Sequence, residues 1–221
     1  METPTPESAA RDWSASEFKT AFPPQFTILG VRLLPLSLGR YRLLKWANVA
    51  FVADGEASAG ADDLFTGIVI CGMPCADFRS LLNTGRLERH LQKWGKRLGR
   101  QIRRERGFNL FEKMGLFQNY ITEAQELPWV ALPVQGGEVP EYSNTHWSLN
   151  MEVILRGNLG WSLDEVEEAP LTKALADYFQ FMESSGAVRL MPANLYREMI
   201  SEGQRNADVL LKMEEAMKNK G

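Results

Sequence analysis

The 221-residue chain is 44% hydrophobic and 24% charged, with a formal net charge of −3, which is typical of a globular protein with one large domain or two small ones. Two cysteines, no basic and apolar leader and no apolar run of about 20 residues argue against a disulfide-stabilised secreted domain and against a membrane-spanning helix. We therefore expect a soluble cytoplasmic protein with no membrane partner.

The N-terminal part is predicted to begin with a flexible tail, residues 1–12, which is rich in acidic, hydroxyl and proline residues. A short helix is expected within residues 14–22, where the following Pro-Pro pair stops it. Residues 26–34 are apolar and partly β-branched, which predicts a short strand or an extended segment. Ser37 is a suitable N-cap for an amphipathic helix that ends near Asn48.

Two helices that carry the cysteines are predicted next. Residues 64–71 are apolar nearly all round, and a break at residues 72–74 separates them from a helix that starts at Cys75 or Ala76. Cys71 and Cys75 lie four residues apart, but no second cysteine pair or histidine cluster completes a zinc site. Two interpretations remain open, burial as small hydrophobic side chains and reactivity as a free thiol.

The most strongly charged segment is an amphipathic helix over residues 86–106, with nine Arg or Lys residues against two Glu. Apolar residues recur at steps of three or four, so the basic residues cover one face. Three interpretations are open: a solvated face, a surface for an acidic protein partner, and phosphate binding in a nucleic acid. Trp94 is the one aromatic residue for base stacking. The partner-binding candidates are Arg89, Lys93, Lys96, Arg97, Arg100, Arg103 and Arg104.

A linker is predicted at residues 128–140, which contain three prolines and a Gly-Gly pair. It divides the chain into an N-terminal helical domain, 13–127, which also contains a helix over 108–126, and a C-terminal helical domain, 141–221. Helices are predicted in the second domain over residues 145–158, 162–169, 170–185 and 194–218.

The short helix over residues 162–169 begins with a capping box, in which Ser162 and Glu165 satisfy each other's backbone donors. Its four carboxylates suit the first turns of a helix, where the macrodipole favours negative charge. Because they come from one segment, they do not converge as metal ligands, and no metal site is predicted. With two histidines in the chain and no phosphate-binding glycine motif, the sequence indicates no catalytic residues and no cofactor.

Two sets of motifs resemble proteins of tailed bacteriophages. Residues 160–162 (Gly-Trp-Ser) with Glu165, followed by residues 169–171 (Ala-Pro-Leu) at the start of an apolar helix, resemble the tail assembly chaperones. Residues 34–41 and 63–71 are similar to segments of uncharacterised phage tail proteins. The resemblance implies a non-enzymatic protein that binds tape-measure or tail-tube subunits in the host cytoplasm during virion assembly.

We therefore predict a mostly α protein, an irregular helical bundle with a short N-terminal strand segment, that assists phage tail assembly through helical surfaces. Trp161, Met199 and Met213 join the basic residues as predicted partner contacts, since methionine gives adaptable packing. The alternative is a nucleic-acid-associated protein that uses residues 86–106. An enzyme that uses Cys71 or Cys75 is disfavoured because no base lies near them in the sequence.

Overall fold

The computed structural model describes residues 23–53, 58–134 and 146–204. In these ranges the chain is mostly α-helical, with two small antiparallel two-stranded sheets. This confirms the predicted fold class. The predicted tail at 1–12, the helix within 14–22 and Met213 lie outside the described residues.

The chain divides into two compact units. The larger unit contains the described residues of 19–126 and 141–178, and the smaller contains those of 127–140 and 179–204. This division differs from the predicted domains 13–127 and 141–221. The reason is that Met151, Leu155 and Val166 belong to the same hydrophobic core as the N-terminal helices, so their segment joins the larger unit.

The larger unit opens with a hairpin of β1 (Thr27–Ile28) and β2 (Val31–Arg32). The sequence predicts one strand here, but Leu29 and Gly30 both have positive φ angles, 51° and 68°, as a two-residue type I′ turn requires. The helices that follow are α1 (Leu38–Trp46), α2 (Ala61–Cys71), α3 (Cys75–Asn83), α4 (Leu87–Arg104), α5 (Leu110–Gln125), α6 (Trp147–Gly157), α7 (Leu163–Glu168) and α8 (Leu171–Ser184), with a 3-10 turn at Ala50–Val52 between the first two.

Local signals place several of these helix starts. The Ser37 hydroxyl accepts a hydrogen bond from the backbone N–H of Arg40 and caps α1, as predicted. Ser162 and Glu165 form the predicted capping box of α7. The Nδ1 atom of His146 accepts from the backbone N–H of Ser148 at the start of α6, so this histidine has a capping role.

Helix α2 lies at the centre of the larger unit's core. Leu64, Ile68 and Ile70 are almost fully buried, and Phe117 of α5 packs directly over Gly67. A Cβ atom at Gly67 would lie 2.4 Å from Cζ of Phe117, so glycine is required for the close approach of these two helices.

The smaller unit contains a sheet that the sequence does not predict. Strand β3 (Trp129–Pro133) pairs antiparallel with β4 (Val188–Pro192), and residues 193–204 are helical. Residues 129–133 fall within the predicted linker at 128–140, and this part of the linker is a strand. Its hydrogen-bonding partner lies more than 50 residues later in the sequence. The proline and glycine content of residues 128–140 gives no information about that pairing.

Among the described helices, none is by itself both long and apolar enough to cross a membrane. Helices α2 and α3 pass that test of length and composition only when they are taken as a pair, and the pair is bent by 107°.

Candidate binding surface on a basic helix

Helix α4 is bounded on both sides by glycines that turn the chain. Gly85 and Gly107 have φ angles of 65° and 78°, which glycine adopts without a steric penalty. Leu98 is buried in the core, and Trp94 and Ile102 pack partly buried against it. The helix therefore lies on the larger unit with its apolar side inward, and its opposite side faces solvent, as the amphipathic pattern predicts.

The seven basic residues predicted to contact a partner are all exposed on this outer side. With 100° per residue, they fall within an arc of about 120° of the helix circumference and extend over about 22 Å of its length. We call this set the basic stripe; it consists of Arg89, Lys93, Lys96, Arg97, Arg100, Arg103 and Arg104.

In the part of the chain that the structure describes, no member of the basic stripe forms a salt bridge. Glu105, directly after α4, pairs instead with Lys113 of α5 at 2.5 Å. Other basic side chains of the larger unit do contact carboxylates, as Arg40 contacts Glu168 and Arg79 contacts Glu167. Among the described residues, no carboxylate thus pairs with the cations of the stripe, although the net charge of the chain is −3.

Trp94 lies at the flank of the stripe and already has partners there. Its Nε1 atom donates to Nε2 of His90 at 2.7 Å, and the guanidinium carbon of Arg97 lies 4.9 Å from its ring centroid. The indole is only partly exposed and packs against the core. A base that stacked on this ring would have to displace Arg97.

The remaining predicted contact residues lie elsewhere. Trp161 is partly buried, and Nζ of Lys173 lies 4.7 Å from its ring centroid. Met199 is 47% exposed in the smaller unit, where Leu195 and Ile200 are exposed beside it in the same helical segment. Neither residue is part of the basic stripe.

The carboxylates of α7 bind other side chains of the larger unit. Glu167 pairs with Arg79 of α3, and Glu168 pairs with buried Arg40 while also accepting a hydrogen bond from the backbone N–H of Cys75 at 2.6 Å. These carboxylates thus join α7 to α1 and α3. No group of three or more His, Cys, Asp or Glu side chains suited to a metal ion occurs among the described residues.

Both cysteines are buried, which confirms their interpretation as small core residues. Burial raises the pKa of Cys71 to about 12 and that of Cys75 to about 11. The thiolate form, which is the nucleophile, is therefore strongly disfavoured at neutral pH. The Cys75 sulfur lies 3.5 Å from the carbonyl oxygen of Glu167, in the packing between α3 and α7.

One feature that the sequence does not indicate is a cleft of about 280 Å³ where α1, α3 and α7 meet. Trp46, at the end of α1, lies at the edge of this cleft and is 63% exposed. Its ring centroid lies 6.4 Å from that of Phe78. The lining residues come from α1, α3 and α7, and those of α1 lie more than 100 residues before Glu167 in the sequence, so no local motif reveals the cleft. They are Gly39, Arg42, Leu43, Trp46, Cys75, Arg79, Leu82 and Glu167.

The fold and this surface define a mostly α-helical protein with a basic helix whose outer cations pair with no described carboxylate. No protein-family model, curated protein sequence or solved structure matches the chain. The chemistry of its own exposed side chains is therefore the basis for a proposal about function.

Proposed function

We propose that this protein is a non-enzymatic assembly protein that binds an acidic protein partner through the basic stripe of α4. The supporting observation is the exposure of seven cations with no salt bridge to any described carboxylate. Like charges at helical steps of three or four repel each other, so an anionic partner would relieve an unfavourable interaction as well as add favourable ones. Such a surface also accelerates association with an oppositely charged partner.

The resemblance to phage tail assembly chaperones suggests what the partner is. The motifs that carry it are residues 160–162 with Glu165, and residues 169–171. Under this proposal the acidic partner is a tape-measure or tail-tube subunit, bound in the host cytoplasm before the tail assembles.

A nucleic acid is the second candidate, because the same seven cations suit phosphates. The environment of Trp94 makes this candidate weaker. Its indole donates to His90 and is covered by Arg97, and the stripe itself contains only Arg and Lys, so it offers no aromatic ring on which a base could stack.

Charge reversal separates these candidates. We expect the full-length chain to bind fluorescent poly-L-glutamate in an anisotropy titration at 150 mM salt, and the R97E/R100E/R103E variant to bind at least tenfold more weakly. The matched control is R32E/R189E/R197E, which changes the net charge equally at exposed arginines outside α4 and should bind like the parent chain.

Two outcomes would contradict the proposal. If a DNA duplex binds more tightly than poly-L-glutamate at the same salt, the nucleic-acid candidate replaces it. If neither polymer binds, the stripe is a solvated face. Circular dichroism of each variant establishes that loss of binding is not loss of fold.

A further inference from the structure

Five residues of the basic stripe form a straight line along α4: Arg89, Lys93, Lys96, Arg100 and Arg103. Their steps alternate between four and three residues, so the line covers about 21 Å and alternates within an arc of about 80° of the helix surface. This alternation is the spacing that keeps the contact face of one helix turned toward a second helix packed alongside it. Arg97 and Arg104, seven residues apart, flank the line on one side.

We infer that the element recognised by the stripe is an α-helix of the partner, with carboxylates at the same alternating steps of three and four, lying alongside α4. This inference rests on the proposed function and names its partner more closely. Each carboxylate on such a helix would face a cation of the central line, and the flanking arginines would supply further donors. Because exposed ion pairs are individually weak, the affinity depends on several pairs forming in register.

The acidic helix of this chain does not supply that partner through a second copy. Among the described residues, α7 contains the densest run of carboxylates, but most of them already have partners within the larger unit. Glu165 caps the helix, Glu167 pairs with Arg79, and Glu168 pairs with Arg40. Asp164, 88% exposed, is left with a 4.0 Å contact to Arg79. This single exposed carboxylate does not match five cations in a line.

The straightness of the line favours a helix over duplex DNA. Phosphates of a duplex follow two strands that wind around its axis, whereas carboxylates at alternating steps of three and four lie in a row on one side of a helix. The five cations lie in such a row. They also stand on regular helix, so their spacing is fixed by the backbone rather than by a loop.

Two synthetic 21-residue peptides of identical composition test the inference with the unmodified protein. In the first, Glu residues follow the 4-3-4-3 spacing on one face of an Ala-rich helix; in the second, the same Glu residues are spread around the helix. Circular dichroism is used to choose conditions under which the two peptides are equally helical. We expect anisotropy titrations at 150 mM salt to give at least tenfold tighter binding of the first peptide.

A charge-swap control uses a chain with the five line residues replaced by Glu and a peptide with Lys in place of Glu. Binding of this pair, but not of either mixed pair, would support direct pairing between the five line residues and the peptide charges at the 4-3-4-3 spacing. Equal affinity of the two acidic peptides would overturn the inference while the proposed function stands. Failure of both peptides and of poly-L-glutamate to bind would overturn the proposed function itself. A DNA duplex that displaces the first peptide at equal charge concentration would also overturn the inference.

Discussion

The side chain of Arg40 joins several segments of the larger unit. It is 2% exposed, and its guanidinium donates to the carbonyl oxygens of Pro35 and Met73, to the Ser37 hydroxyl and to the Glu168 carboxylate. The sequence marks Ser37 as a cap, but it gives no sign that Arg40, in the first turn of an amphipathic helix, is buried.

Replacing Arg40 by Met should therefore be severely destabilising. The loss leaves two carbonyl groups and a carboxylate without their donor, which costs about 3 kcal/mol in comparable buried pairs. Urea unfolding followed by circular dichroism measures the change in the free energy of unfolding. Arg79→Met is the control, because Arg79 is 39% exposed and its ion pair should contribute under about 1 kcal/mol. Equal losses in both variants would contradict this assignment.

Two carboxylates of the larger unit have pKa values shifted in opposite directions. Burial would raise the pKa of Glu152, but hydrogen bonds from Arg42 and Arg156 outweigh it and lower the pKa below its ordinary value of 4.5. For Glu167, burial dominates over the attraction of Arg79, and the pKa is raised. The ionised form of Glu152 therefore stabilises the folded state, whereas for Glu167 the protonated form does so.

The pH dependence of the free energy of unfolding should distinguish the contributions of Glu152 and Glu167. Glu152 stabilises the fold above its unfolded pKa, and this contribution is lost as the pH falls through the lowered native pKa. The stability difference between the parent chain and E152Q should therefore shrink below about pH 4.5. Relative to E167Q, the parent chain should instead gain stability as the pH falls from 7 through the raised pKa of Glu167. Urea unfolding between pH 3 and 7 measures both trends, and parallel curves for the two variants would contradict the assignment.

At the scale of elements, the glycines of α2 and α4 have different roles. Gly67 of α2 is in contact with Phe117, so Gly67→Ala forces the two helices apart and should cost about 2 kcal/mol or more. Gly95 and Gly99 of α4 have no atom within 4 Å of an added Cβ. Changing both to Ala should therefore raise stability by about 2 kcal/mol in total, through helix propensity alone.

The G95A/G99A variant also serves the binding experiments. It stiffens α4 without altering any charge of the basic stripe, so its affinity for poly-L-glutamate should equal or exceed that of the parent chain. Thermal unfolding gives the stability, and anisotropy gives the affinity. A stabilised variant with weaker binding would mean that the stripe functions through bending of α4, against the straight geometry described above.

The sequence predicts those elements whose signals are local. The start of α1 at Ser37, the capping box of α7 and the outward basic face of α4 all follow from residues within one or two turns of each other. The pairing of β3 with β4 depends on a partner more than 50 residues away, and neither strand alternates clearly enough to be recognised. In the candidate surface, exposure follows from helical periodicity. Whether a described carboxylate pairs with the stripe depends on tertiary neighbours, so the lack of such a pair is visible only in the fold.

At the scale of the whole molecule, charge is unevenly distributed. The net charge is −3, yet residues 86–106 contain nine cations and two anions, so the remainder of the chain is acidic. Most side-chain ion pairs in the larger unit join different elements, as Arg42 joins α1 to Glu152 of α6. In the described ranges the stripe takes no part in this pairing, and a stability cost from its own repulsion is the physical consequence.

Salt should therefore stabilise the free protein. The Debye length falls from about 30 Å at 0.01 M to about 8 Å at 0.15 M, which screens repulsion along the stripe. Each like-charged pair at a helical step of four costs a few tenths of a kcal/mol, so the melting temperature should rise by roughly 2–4 °C over this range. Replacing Arg97, Arg100 and Arg103 by Gln should raise the melting temperature at low salt and have little effect at 0.5 M. Differential scanning calorimetry measures both effects. Salt also weakens the attractive ion pairs of the fold, so the comparison between the two chains is decisive. If the parent chain and the Gln variant show the same salt dependence, the stripe is already neutralised by another part of the molecule, and the surface proposed for a partner is occupied.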